Sequence, residues 1–130
     1  MKVYEIVEAT RGILVSGNKD DEINFFSQDS RQMTNGGMYI PLKGERFDGH
    51  NFIESAFQTG AQAIISEKDV NYEDKIVIKV KDTHQALKDM ASYLRNHRPV
   101  KVVGVTGSVG KTSTRDMVYS VVKQKYKTLK

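Results

Sequence analysis

The chain has 130 residues with no cysteine and a formal net charge of +4, enough length for one adequate core and no thiols for disulfides or thiolate chemistry. No apolar run reaches the length of a membrane-spanning helix, and the amino terminus lacks a charged-then-apolar signal pattern, so a soluble cytoplasmic protein without membrane partners is expected. The positive charge is local: residues 1–98 carry 13 basic and 15 acidic side chains, whereas residues 99–130 carry seven and one. Lys123, Lys125, Lys127 and Lys130 fall late on a helix and after it, where cations are favoured, and they lack a stacking series of aromatics, which argues against nucleic acid. His50, His84 and His97 are too scattered for a zinc site.

In chain order, residues 3–9 read as a short helix or helical turn, and Ile13-Leu14-Val15 as a strand closed by Gly17-Asn18. Residues 23–27 read as a second strand, which places Asp29-Ser30-Arg31 at its exit. Residues 38–42 form an expected buried strand, followed by a polar, glycine-containing loop from Lys43 to His50. Phe52, Ile53, Ala56 and Phe57 share one stripe of a helix over 50–59 that Gly60 stops. Ala63-Ile64-Ile65 and Ile76-Val77-Ile78 are two more short strands. Asp82-Thr83 caps a helix whose Ala86, Leu87, Met90, Ala91 and Leu94 recur at helical spacing, with Gln85 placed for a capping box. Met33, Met38, Met90 and Met117 read as core or edge fillers. Alternating strands and helices define an α/β class. Pro99 marks a helix stop and linker, giving domains over 1–98 and 99–130.

Residues 100–105 read as a strand running into Thr106-Gly107-Ser108-Val109-Gly110-Lys111-Thr112-Ser113 and then a helix. The glycines allow backbone N–H groups to face phosphate oxygens, the helix N-terminus adds its positive end, Lys111 supplies a point charge, and the Thr112 hydroxyl suits Mg²⁺. The strict P-loop pattern places a glycine where this chain has Val105, with Gly104 one step early. A complete small kinase or NTPase is unsuited to this order, because its phosphate loop comes first and a metal-binding acid follows on later strands.

This short loop resembles that of the Mur ligases and folylpolyglutamate synthases, which form amide bonds by way of an acyl phosphate. Asp29-Ser30-Arg31, the run from Gly37 to Ile53, Ala56, Gly60-Ala61 and Ala63 are similar to the amino-terminal substrate domain of the Mur ligases, so the resemblance spans nearly the whole chain. It implies a small UDP-sugar-binding domain followed by the first strand, P-loop and helix of a truncated ATPase domain. The run from Lys43 to Phe52 and the stretch from Thr112 to Met117 are most similar to the branch that joins D-alanyl-D-alanine to UDP-N-acetylmuramoyl tripeptide in peptidoglycan precursor synthesis. The branch adding the third amino acid shares the Asp-Ser-Arg and Asp-Gly-His elements and stays open, as does a non-catalytic nucleotide-sugar-binding module.

By themselves, Asp29 and Ser30 suit a turn bonding its own backbone, and the 43–50 loop suits solvated surface. The resemblance implies instead that Asp29, Ser30, Arg31, Lys43, Gly44, Arg46, Asp48, Gly49 and His50 bind the uridine nucleotide, with Asp48 and His50 also placed to cap the next helix. It further implies ATP and Mg²⁺ at residues 106–113, with Lys111 and Thr112 in the chemistry and Thr112 on the metal. The remaining metal acids and the amine site lie beyond Lys130 in the family, so this chain alone is expected to be inactive, with D-alanyl-D-alanine a substrate only of the full-length enzyme. Met117, Val118, Val121 and Val122 form an apolar side that lacks its sheet, so residues 99–130 are expected to pack on the first domain, to exchange in a dimer, or to be disordered.

Overall fold

Two nearly continuous apolar runs, β4 (Ala61–Ser66) and β5 (Ile76–Lys79), occupy the middle of a five-stranded sheet, the pattern of strands covered on both faces. The computed structural model describes residues 1–99, 101–107 and 109–129. The chain divides into two compact units, Met1–Arg98 and Pro99–Lys130.

The first unit adds β1 (Ile13–Ser16), β2 (Phe26–Ser27) and β3 (Gly37–Tyr39) to give the order β1-β5-β4-β3-β2. β1 runs antiparallel to β5, while the other neighbours are parallel. Helices α1 (Val3–Thr10) and α3 (Thr83–His97) cover one face, where Val3, Ile6, Ala86 and Met90 meet Ile65, Ile76 and Ile78. Helix α2 (Ile53–Thr59) covers the other, where Ile53 and Ala56 meet Tyr39, Ile64 and Val77. A three-layer α/β unit results, with a core on each side of the sheet.

Several local expectations shift for identifiable reasons. The second strand is shorter than its apolar stretch because Ile23 exchanges backbone hydrogen bonds with Met1 at 2.7 Å in each direction, which commits this end of the stretch to the amino terminus rather than the sheet. β3 ends near Ile40 because Pro41 has no N–H for the ladder. The helix over 50–59 begins as a 3₁₀ turn, Gly49–Phe52, before α2, and Gly60 stops it at φ 133°. Asp82 caps α3 by accepting from the Gln85 N–H at 3.1 Å, but the Gln85 amide turns to Asp89 at 2.9 Å instead of closing a capping box.

In the second unit, helix α4 (Lys111–Val122) forms where expected. Residues 101–105 form no ladder, because a strand needs a paired neighbour and none stands among the described residues of this unit. Met117 is 67% exposed rather than a core or edge filler, and Val121 is also exposed, since no residue of α4 is buried.

Candidate functional site

The exit of β2 turns sharply because Asp29 bonds its own neighbourhood. Its carboxylate accepts the Arg31 backbone N–H at 2.9 Å, and takes the guanidinium in two parallel bonds, Nε to Oδ1 and the terminal nitrogen to Oδ2, each 3.0 Å. This pairing pulls the Asp29 carboxyl below its ordinary value, with the Arg31 side-chain bond the largest cause, and raises Arg31 for the same reason. The turn reading of the triplet is met: Asp29 makes the turn and orients a fork-shaped cation whose side chain is 84% exposed.

Asp29, Ser30 and Arg31 line a cleft of about 690 Å³ together with Gln28, Tyr39, Phe47, Phe52 and Ser55. Phe47 and Phe52 stack with ring centroids 5.3 Å apart and planes 19° from parallel, and both remain exposed. A cation, a hydroxyl and a partly open aromatic wall in one cleft suit a phosphate attached to a flat ring. Tyr39 ties the floor to the loop, donating its hydroxyl to the Gly49 carbonyl at 2.7 Å, and burial pushes that hydroxyl's pKa up, which keeps it a neutral donor.

The loop is a narrow hairpin. Gly49 N–H bonds the Leu42 carbonyl at 2.8 Å, Gly44 N–H bonds the Phe47 carbonyl at 2.6 Å, and Lys43 bridges Asp48 between them. A Cβ at Gly49 would lie 2.8 Å from the Leu42 nitrogen and 2.9 Å from its oxygen. Gly49→Ala should therefore destabilise the first unit by roughly 1–3 kcal/mol, the usual cost of overpacking against immovable atoms. Urea unfolding checks this, and an unchanged midpoint would mean that the hairpin opens freely.

Of the expected substrate residues, only Asp29, Ser30 and Arg31 line the cleft. Lys43 lends its carbonyl to His84 Nε2 at 3.0 Å, and Arg46 is exposed at the tip of the hairpin. Gly44 and Gly49 shape the loop. Asp48 and His50 bond each other: Asp48 accepts the His50 N–H at 2.9 Å, lies 2.8 Å from His50 Nδ1 and 3.2 Å from Lys68 Nζ. Those bonds, the His50 backbone N–H first, hold the Asp48 carboxyl far below the usual carboxylate range. Its contribution to stability is thus fully present above the unfolded aspartate pKa and is lost only as pH falls through the much lower folded value. Gln28, Tyr39, Phe47, Phe52 and Ser55 escaped the sequence reading as site residues. Phe47 carried a signal nonetheless, as a large aromatic in an otherwise polar loop.

In the second unit, Gly107 and Gly110 adopt φ 148° and 76°, the left-handed region open to glycine. Gly110 precedes α4, whose ladder begins with Thr114 N–H to the Gly110 carbonyl at 2.9 Å, so the first N–H groups of the helix face outward. Lys111 and Thr112 line a hollow of about 250 Å³ with Val103, Val105 and Arg115. Thr106, Val109 and Ser113 are exposed, and Ser108 lies outside the described residues. Among the described residues no cluster of three acidic or histidine side chains could hold a metal ion, and no helix is long and apolar enough to cross a membrane.

Comparison with known proteins points to one family. The model described as "Mur ligase family, catalytic domain" matches residues 22–95, more than half of the chain. The UDP-N-acetylmuramoyl-tripeptide--D-alanyl-D-alanine ligase of Bacillus subtilis is 38% identical over 98% of this chain, and the UDP-N-acetylmuramoyl-L-alanyl-D-glutamate--2,6-diaminopimelate ligase of Clostridioides difficile is 38% identical over 94%. The chain spans 29% and 26% of those proteins, under a third of their length. A crystal structure of MurF from Acinetobacter baumannii superposes with a TM-score of 0.89 at 33% identity, over 98% of this chain and 28% of that one. MurF from Thermotoga maritima, solved in complex with ADP, gives 0.67 at 36% identity over 78% of this chain and 24% of its own. Since the family match falls on the unit that holds the cleft and the further likeness continues through the phosphate loop, this chain belongs to the Mur ligase family.

Proposed function

We propose that residues 1–98 bind the uridine diphosphate end of UDP-N-acetylmuramoyl tripeptide, and that residues 99–130 begin the ATP site of an ADP-forming ligase that joins D-alanyl-D-alanine to it. The observation carrying this reading is the cleft in which Asp29 presents the exposed Arg31 fork beside the Phe47–Phe52 stack. Arg31 pairs with a phosphate, Ser30 offers a hydroxyl and the aromatic wall stacks the base. Lys43, Gly44, Arg46, Asp48 and Gly49 act on the same ligand chiefly by building the hairpin.

The residues around α4 fit phosphates. Lys111 and Thr112 line one hollow at the start of α4, whose first N–H groups are unpaired within the helix and which follows two glycines in left-handed geometry. Thr112 is the one Mg²⁺ ligand proposed from this chain, with ATP oxygens and groups elsewhere in the enzyme completing the shell. ATP supplies the phosphoryl group that activates the muramoyl peptide carboxylate for attack by the amine. This chain's part is to orient the phosphates and offset their charge through backbone N–H groups and Lys111.

Calorimetric titration of the chain with UDP, and separately with ATP, tests the assignment. Micromolar to millimolar binding of UDP is expected, and a folded chain that binds ATP while ignoring UDP would sink the reading of the first unit. The 130 residues alone should show no ligation, because among the described residues no acidic cluster stands ready to complete a metal shell with Thr112. Steady ADP release with ATP, muramoyl tripeptide nucleotide and D-alanyl-D-alanine, above a Lys111→Ala control, would contradict this. The equal identity to the C. difficile protein keeps a second reading in play, a ligase adding the third amino acid; the amine accepted by the full-length enzyme separates the two.

A further inference from the structure

His50 sits where a nucleotide contact was expected, yet both ring nitrogens are used inside the protein. Nε2 accepts the Glu67 backbone N–H at 3.0 Å, and Nδ1 lies 2.8 Å from Asp48 Oδ1. A backbone N–H can only donate, so Nε2 carries no proton and the ring proton belongs on Nδ1, donated to Asp48. The side chain is 1% exposed. The charged groups facing this joint are Asp48 itself and Lys68, which bonds the other Asp48 oxygen; the Glu67 carboxylate turns away to accept the Thr83 N–H at 3.0 Å, at the start of α3. One imidazole thereby joins the hairpin, the end of β4 and, through Glu67, the third helix.

What stands on this joint is the aromatic wall. Phe47 directly precedes Asp48, and Phe52 follows His50 by two residues. With exposures of 54% and 39%, neither ring is locked by burial, so their stacking depends on the backbone that carries them. That backbone is held at its base by the imidazole.

We propose that His50 is a positioning residue for the nucleotide cleft: as a neutral Nδ1–H tautomer it holds Phe47 and Phe52 in register as a stacking wall for a nucleobase, without touching the ligand. The proposal rests on the nucleotide reading for its ligand and on the hairpin geometry for its mechanism. Protonation of the ring would set a donor against the Glu67 N–H, so only the neutral form closes the joint.

Nitrogen-15 NMR of the whole 130-residue chain at pH 7.5 should find His50 Nδ1 protonated and Nε2 bare. Two variants then divide the joint. His50→Asn retains a donor near Asp48 but is too short for Glu67, whereas His50→Gln can reach Glu67 but gives up the Asp48 bond. Each should weaken UDP binding roughly three- to tenfold, the span of one hydrogen bond's net contribution, and should weaken the Phe47–Phe52 ring contact seen in NOE spectra. A protonated Nε2 at that pH would overturn the proposal, as would folded variants that lose stability but keep ring contact and UDP affinity. Should a variant fail to fold, the tautomer measured on the unaltered chain still decides. If the unaltered chain ignores UDP, the nucleotide reading fails by itself, and tautomer and ring contact still judge the joint.

Discussion

Arg31→Ala is expected to weaken UDP binding by about ten- to a hundredfold, the range for a charge-assisted pair that the ligand shields from water. The side chain is poised rather than buried. Asp29 takes two of the five guanidinium donors and holds the plane at the cleft rim, leaving the others for phosphate oxygens. Because the side chain is so exposed, its removal should leave folding nearly untouched, and the loss should appear in affinity alone. Arg31→Lys should restore only part of the binding, since a point charge loses the parallel geometry of the fork. Asp29→Ala should fall between the two by releasing the guanidinium from its orientation. Calorimetry with UDP at low and moderate salt, beside urea unfolding, separates affinity from stability. A folded Arg31→Ala chain that binds UDP as the unaltered one does would remove the central residue of the proposed site.

The largest loss of stability is expected from Ile78→Ala, at about 2–5 kcal/mol. Ile78 lies on β5 between its antiparallel neighbour β1 and its parallel neighbour β4, and it is fully buried in the core beneath α1 and α3. Even the backbone packs against it, since a Cβ at Gly12 would lie 2.8 Å from an Ile78 methyl. With neighbours fixed on both sides, the space left by the side chain cannot readily collapse. A domain of this size is stable by only about 5–15 kcal/mol in total, so the variant should unfold at a much lower urea concentration with a similar slope. Ile13→Ala on the edge strand β1, where the side chain is 67% exposed, should change little. A loss under about 1 kcal/mol at Ile78 would mean that the sheet relaxes around the missing atoms.

Much of this molecule follows from local chemistry. The run from Ala61 to Ser66 is buried on both faces because it is apolar at nearly every position, and the helix after Asp82 keeps its cap and its apolar stripe wherever it is placed. Gly107 and Gly110 take left-handed geometry just before Lys111 and Thr112 through backbone freedom that needs no tertiary partner. The turn at Asp29 is likewise local, since the carboxylate bonds residues only two positions on.

Other features depend on what lies across a gap, which spacing does not encode. Residues 101–105 have the β-branched composition of a strand, but strand structure is completed by a neighbour's hydrogen bonds. Met117 and Val121 have the helical spacing of an apolar face, yet spacing says nothing of whether anything covers it. Lys43, Arg46, Asp48 and His50 suit solvated surface by themselves, and only the family resemblance implied ligand contact for them. The hairpin turned the loop's backbone inward and sent Asp48 and His50 to each other, so the aromatic side chains of Phe47 and Phe52 became the cleft wall. The sequence by itself determined most elements of the first unit and the glycine-lysine pattern that precedes α4, because propensity, capping and glycine geometry act over a few residues. Only the tertiary structure decided which polar groups line the cleft and which pair within the protein, because a side chain with several possible partners is assigned by the three-dimensional neighbours that satisfy it.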